Sequence, residues 1–251
     1  MIILKSPAEV EKIRKAGLVV SRTLAELGEM IRPGVTTAFL DRMAEKIFAR
    51  HGARSLFKGH HGYPAHICAS VNEQVVHGIP SEVPLAEGSI VGIDVGAILD
   101  GYCADSAYTF PVGAISDEAA RLLRVTKECL ELGVQAARPG QYVRDIGQAV
   151  QAHAEAAGFS VVRELVGHGV GRSLWEDPQI PNYVTPRRGP RLKAGMTLAI
   201  EPMISIGSAE VETLADGWTV VVKDGTWSAH FEYTVAVTPD GPEVLTPFDW
   251  E

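Results

Sequence analysis

The chain has 251 residues, of which 46% are hydrophobic and 22% charged, and a formal net charge of −8. That composition is ordinary for a soluble globular protein and gives enough chain to bury a sizeable core. The charge is spread without a basic block, no apolar run approaches the roughly 20 residues that cross a bilayer, and the three cysteines form no CxxC pair, so nucleic acid and membrane are not expected partners and a reducing cytoplasm fits best.

The start, MIILKSPAEVEK, lacks the basic opening and long apolar segment of a secretory signal. Ser6-Pro7-Ala8-Glu9 reads as a capping box with proline at the first helical position. Val10, Ile13, Gly17, Val20, Leu24 and Leu27 then keep a helical stripe until Arg32-Pro33-Gly34 stops it. A second helix is predicted from Thr37 to Arg50, with Phe39, Leu40, Met43, Ile47 and Phe48 as its apolar face and Gly52 closing it. Residues 60 to 80, HHGYPAHICASVNEQVVHGIP, carry His60, His61, His66 and His77.

Gly88 to Phe110, GSIVGIDVGAILDGYCADSAYTF, reads as two strands joined at Asp100-Gly101, because Asp-Gly between alternating apolar runs is a strong hairpin signal. With that turn Leu99 pairs with Tyr102, Asp105 falls opposite Gly96, and Asp94 lies diagonally on the same face, about 7–8 Å from Asp105 or less. Like charges that close on a half-buried sheet are destabilising unless a cation binds between them. A turn shifted by one residue would instead send one Asp to solvent.

The same grammar then repeats. Ser116 caps a helix carrying Leu122, Val125, Cys129, Leu130 and Val134 that stops at Arg138-Pro139-Gly140, and a helix with Ile146, Val150 and Ala154 closes at Gly158. The second Arg-Pro-Gly and the second closing glycine sit at the same offset from the first pair, which suggests a duplicated α+β unit. One compact domain, 1–251, with pseudo-symmetric halves of about 1–112 and 113–251 is the natural reading.

Past these helices His168 lies between Gly167 and Gly169, and Glu201 ends an apolar strand just before Pro202. WSAHFEYTVAV then puts His230, Glu232 and Thr234 on one strand face and Phe231, Tyr233 and Val235 on the other. Singly each has a plain explanation: a turn histidine, a strand end, an acid facing water. Together they make two Asp, one His and two Glu, four of the five set in apolar β-sequence, where carboxylates are costly unless paired or cation-bound. Four carboxylates and one imidazole suit a pair of borderline divalent ions such as Mn²⁺, Fe²⁺, Co²⁺ or Zn²⁺. The lack of cysteine in the set argues against structural zinc.

The ordered set Asp94, Asp105, His168, Glu201, Glu232 resembles the five metal ligands of the methionine aminopeptidases, whose pita-bread fold is shared with proline peptidases and creatinase. The strings HGYP (61–64), SVNEQVVHGIP (70–80), IVGIDVGA (90–97), GYCADSAYTF, GHGVGR (167–172), IEPM (200–203) and DGWTVVVKDGTWSAHFEYT (216–234) extend the resemblance over essentially the whole chain. With no large leading domain and no long late insertion, the chain is similar to the type I subgroup. The resemblance implies an α+β pita-bread fold with an internal pseudo-two-fold duplication. It implies a cytoplasmic metallo-exopeptidase that removes the initiator methionine from nascent proteins with two divalent ions (Co, Mn, Fe, Zn or Ni). Glu201 would be both ligand and general base, His77 would hydrogen-bond near the scissile amide, and Tyr63, Cys68 and Trp218 would wall the methionine pocket. The partners implied are nascent or free polypeptide N-termini starting with Met, with the ribosome as a further candidate, and a monomer is expected.

The sequence also departs from that pattern. Seven residues after the ligand histidine, where the family carries a second active-site histidine, this chain has Trp175; an indole N–H donates one hydrogen bond but accepts no proton. Phe57 and His60 stand where a small residue and a tyrosine are usual, Leu174 replaces a frequent aromatic, and His230 stands where the family usually has glutamine. His230 or His60 is a candidate to supply the missing imidazole, the alternative being that His230 merely packs or faces solvent. Two other functions stand beside initiator-methionine removal: a dimetal aminopeptidase with a different N-terminal residue preference, and a non-catalytic pita-bread binding module. Retention of all five candidate ligands argues against the last.

Overall fold

A computed structural model of the chain describes residues 1–249. Helix α1 (Pro7–Gly28) begins as its capping box dictates: the Ser6 hydroxyl accepts from the Glu9 N–H, and the Glu9 carboxylate accepts from the Ser6 N–H at 3.0 Å. Its stripe of Ile13, Val20, Leu24 and Leu27 is fully buried. Helix α2 (Thr37–Arg50) is capped by the Thr36 hydroxyl and buries Leu40, Ala44, Ile47 and Phe48. Phe39, expected on that apolar face, is instead 38% exposed. It lies about 100° around the helix from Leu40, on the flank of the buried stripe.

Strand β1 (Cys68–Val71) follows, then the long hairpin of β2 (Ile90–Leu99) and β3 (Tyr102–Pro111). Asp100 and Gly101 have φ of 49° and 78°, the left-handed pair that a two-residue hairpin turn demands. The register is the expected one, Leu99 opposite Tyr102 and Gly96 opposite Asp105, and β1 takes the other edge of β2 with Cys68 opposite Asp94. Helix α1 packs across both strands of the hairpin.

Helix α3 (Asp117–Ala136), capped by Ser116, and helix α4 (Val143–Ala156) open the second half. The duplication is visible in single hydrogen bonds. Gly34 N–H donates to Leu85 O (2.8 Å) and Leu85 N–H to Val35 O (2.8 Å); Gly140 N–H donates to Leu192 O (2.9 Å) and Leu192 N–H to Gln141 O (2.7 Å). The helix that follows each of these exchanges, α2 or α4, is 14 residues long.

The second half then forms β4 (Gly167–Gly169), β5 (Glu176–Ile180), β6 (Thr197–Ile200), β7 (Met203–Ser205), β8 (Ser228–His230), β9 (Tyr233–Thr238) and β10 (Gly241–Val244). An antiparallel sheet runs in the order β10-β9-β6-β4-β5, while β7 and β8 pair in a separate sheet. The single strand expected through His230, Glu232 and Thr234 is therefore two strands. The break has a cause on the opposite side. Pro202, which lacks an N–H, separates β6 from β7, so the facing chain changes sheet at Phe231–Glu232, with Met203 opposite His230 and Tyr233 opposite Ile200. Glu201 and Glu232 thus occupy the two facing breaks. One apolar core runs from Ile13 to Leu245 and takes residues from both halves. Among the described residues, no helix is long and apolar enough to cross a membrane.

Candidate metal centre and cavity

Although the strand breaks, alternate residues of 230–234 still face the hairpin. Thr109 clamps His230, accepting from its N–H at 3.0 Å and donating to its carbonyl at 2.8 Å. Glu232 N–H donates to Ala107 O at 2.9 Å, and the Ser106 hydroxyl donates to Glu232 O at 2.5 Å. The Thr234 hydroxyl accepts from Asp105 N–H (3.2 Å) and lies 3.1 Å from Asp105 Oδ1. These contacts bring Glu232 against Asp94 and Asp105 on the hairpin. Glu201 joins them from the other break, its carbonyl accepting from Asn182 Nδ2 at 2.9 Å.

His168 arrives on β4 between two glycines that the sheet requires. A Cβ on Gly167 would stand 2.3 Å from Ala199 O, and one on Gly169 would stand 2.3 Å from Asp177 O. The His168 Nδ1 is 2.9 Å from Gly169 O, which only accepts, so the ring proton sits on Nδ1. Nε2 then turns its lone pair toward Asp105 Oδ2 (3.4 Å) and Glu201 Oε1 (3.5 Å). One donor atom each from Asp105, His168 and Glu232 lies within 4.8 Å of the others.

The electrostatics of this cluster are unfavourable without a cation. Burial raises the carboxyl pKa of Asp94, Glu201 and Glu232 well above the usual range, and their mutual repulsion and Asp105 add to it. Asp105 is also raised by burial, although His168 and the Thr234 hydroxyl oppose the rise. Asp94 Oδ1 is buried without a hydrogen-bond partner. Oxygen-rich, under-donated and joined by one imidazole nitrogen, the five residues fit a divalent metal centre.

Above them opens a cavity of about 260 Å³. The sequence-predicted pocket residues Phe57, Tyr63, Cys68, Leu174 and Trp218 all line it. Tyr63 is buried, its hydroxyl donating to Gly78 O at 2.9 Å, with the Trp218 ring edge-on at 5.1 Å. The buried Cys68 thiol is pushed up by burial and by Asp94. His77 also lines the cavity, with φ of 59°, a left-handed conformation uncommon outside glycine. Burial lowers its pKa and keeps the ring neutral.

Trp175 is at the rim, 51% exposed, with the rings of His60 and His61 at 4.8 and 5.9 Å. His60 is held neutral by burial and by His61. His230 is buried beside Glu201, outside the residues that line the cavity, and does not face solvent. Its side chain is 5% exposed, Nε2 has no hydrogen-bond partner, and burial and His77 push its pKa down to about 3. Of the two histidines considered for the missing imidazole, His60 therefore lines the cavity beside Trp175, while His230 is buried against Glu201 and does not line it.

Sequence reasoning missed several supporting groups. Thr109 shares the period-two face of Asp105 and could have been found from that alternation. Met203, inside the IEPM string, lines the cavity. The brace on the rim had no local signal: Lys5 Nζ donates to Glu176 Oε2 at 2.5 Å, and Glu176 Oε1 accepts from the N–H groups of Arg172 (2.8 Å) and Ser173 (3.3 Å).

The profile of metallopeptidase family M24 matches residues 11–239. A methionine aminopeptidase of Clostridium perfringens is 52% identical over 246 residues, covering 98% of this chain and 99% of that protein. Methionine aminopeptidase 1 of Bacillus subtilis is 53% identical over 246 residues, with 98% and 99% covered. The crystal structure of a methionine aminopeptidase from Thermotoga maritima superposes with a TM-score of 0.96 at 46% identity, covering 98% of this chain and 99% of that one.

Proposed function

Because the chain belongs to metallopeptidase family M24 and has the pita-bread fold, we propose that it is a methionine aminopeptidase removing the initiator methionine from nascent polypeptides. The observation that carries this reading is the buried cluster of four carboxylates and one imidazole beneath a cavity walled by aromatic rings and a thiol.

Asp94, Asp105, His168, Glu201 and Glu232 would hold two divalent ions, and Co, Mn, Fe, Zn and Ni all accept this O/N set. When bound, such ions lower the pKa of water and polarise the scissile carbonyl. Glu201 is the base. Its carboxylate takes a proton from the attacking water and delivers it to the leaving amine nitrogen as the C–N bond breaks. His77, neutral, offers one ring N–H to the scissile amide as charge develops on it. The Tyr63 and Trp218 rings and the Cys68 thiol receive the methionine side chain, whose sulfur packs well against aromatic edges. Residues 1–251 act as one catalytic unit, a cytoplasmic monomer working on free or ribosome-borne N-termini.

The test is release of free methionine from Met-Gly- and Met-Ala-starting peptides, first with metal-free protein and then with Mn²⁺ or Co²⁺. Peptides starting with Leu, Ala and Phe run beside them. Metal-dependent release confined to methionine is the expected result. Cleavage of the other peptides alone would overturn the substrate assignment, and no release from any with metal bound would overturn the enzyme.

A further inference from the structure

Buried beside Glu201 is one polar group that the mechanism leaves unused. His230 Nε2 is buried, without a hydrogen-bond partner, and 3.7 Å from Glu201 Oε2. Its backbone is fixed on both sides by the Thr109 hydroxyl, so the strand cannot carry the ring elsewhere. Glu201 therefore has an imidazole at each oxygen, His168 at Oε1 and His230 at Oε2.

The distances share a pattern. The gaps His168–Asp105 (3.4 Å), His168–Glu201 (3.5 Å) and His230–Glu201 (3.7 Å) all exceed the roughly 2.7–3.2 Å of an N–H···O hydrogen bond. Two donors held by one ion through bonds of about 2.0–2.2 Å, at tetrahedral to trigonal angles, stand roughly 3.3–3.8 Å apart. By that measure His230 relates to Glu201 as His168 does.

We propose that His230 is a sixth protein donor of the metal centre, ligating through Nε2 a divalent cation that also meets Glu201 Oε2. The inference rests on the metal-dependent reading above and adds a second imidazole to its ligand set. A second nitrogen donor biases the site toward Mn, Fe, Co, Ni or Zn over the oxygen-preferring Mg and Ca.

The test loads the protein with Mn²⁺ alone, measures the metal retained, and counts coupled imidazole nitrogens by pulsed electron paramagnetic resonance. Wild type should show two, and His230→Gln and His230→Leu one, with Mn²⁺ affinity falling on the order of 10- to 100-fold. A single coupled nitrogen in wild type, unchanged in both variants, would overturn the inference even if affinity fell, because a hydrogen bond to Glu201 could weaken binding without ligation. The wild-type spectrum decides this without relying on a variant that folds. If wild type retained no Mn²⁺, the metal-dependent function itself would fall and take this inference with it, a failure recognisable by the missing signal.

Discussion

Trp175 replaces a titratable ring with one that stacks. The indole stacks on His61 and meets His60 edge-on at the cavity rim, where it donates at most one hydrogen bond. Losing a transition-state hydrogen bond commonly costs on the order of 10²–10³ in rate, so Trp175→His should raise kcat on Met-Ala peptides by about 10-fold or more, read in steady-state kinetics. Glu201→Gln keeps an oxygen for the metal but cannot shuttle a proton, and should lower kcat by on the order of 10²–10⁴ with KM little changed. The substitution at residue 175 was legible in the sequence because the GHG motif fixes its place. That the indole stacks on His61 and meets His60 edge-on was not, since the contacts join residues more than a hundred positions apart.

At the scale of elements, the second rim loop is held by the N-terminal segment. Lys5 and Glu176, with side chains 4% and 11% exposed, form an ion pair, and Glu176 in turn ties down the Arg172 and Ser173 backbone just before Leu174 and Trp175. Removing one partner of a buried pair strands the other charge, so Lys5→Met should destabilise by about 3–5 kcal/mol in urea unfolding. KM should rise more than kcat falls, because the loosened loop lines the cavity. Lys5→Met with Glu176→Leu should recover most of the stability, since an apolar pair of similar volume is often neutral. The sequence made the hairpin register and the four helices readable, because Asp-Gly, the capping box at Ser6–Glu9, the Ser116 cap and the Arg-Pro-Gly stops are local signals. The break at Phe231–Glu232 escaped because alternation along one strand carries no record of which sheet it pairs with; Pro202, on the facing strand, was the clue.

Across the whole molecule the four raised carboxyls link stability to pH. A carboxyl whose folded pKa lies above its unfolded value of about 4 binds more protons folded than unfolded, so its stability is lost as pH rises through the folded pKa. His60, His77 and His230 are lowered and act oppositely, but from about pH 7.5, a unit above their unfolded value, they are neutral in both states. Metal-free protein should therefore lose Tm as pH rises past about 7.5, where the raised carboxyls and the three buried thiols act in the same direction. A thousandfold excess of Mn²⁺ over its Kd should raise Tm by on the order of 10 °C in that range, read by differential scanning calorimetry. The same cluster has a consequence for the chain's continuity. Asp94 and Asp105 precede the exposed Gly113–Ala114 link in the chain, and His168, Glu201 and Glu232 follow it. A protein nicked there should stay assembled even in chelator, held by the apolar core both fragments share, and should need more urea to separate when Mn²⁺ is bound, the cation serving as a rivet between two polypeptides.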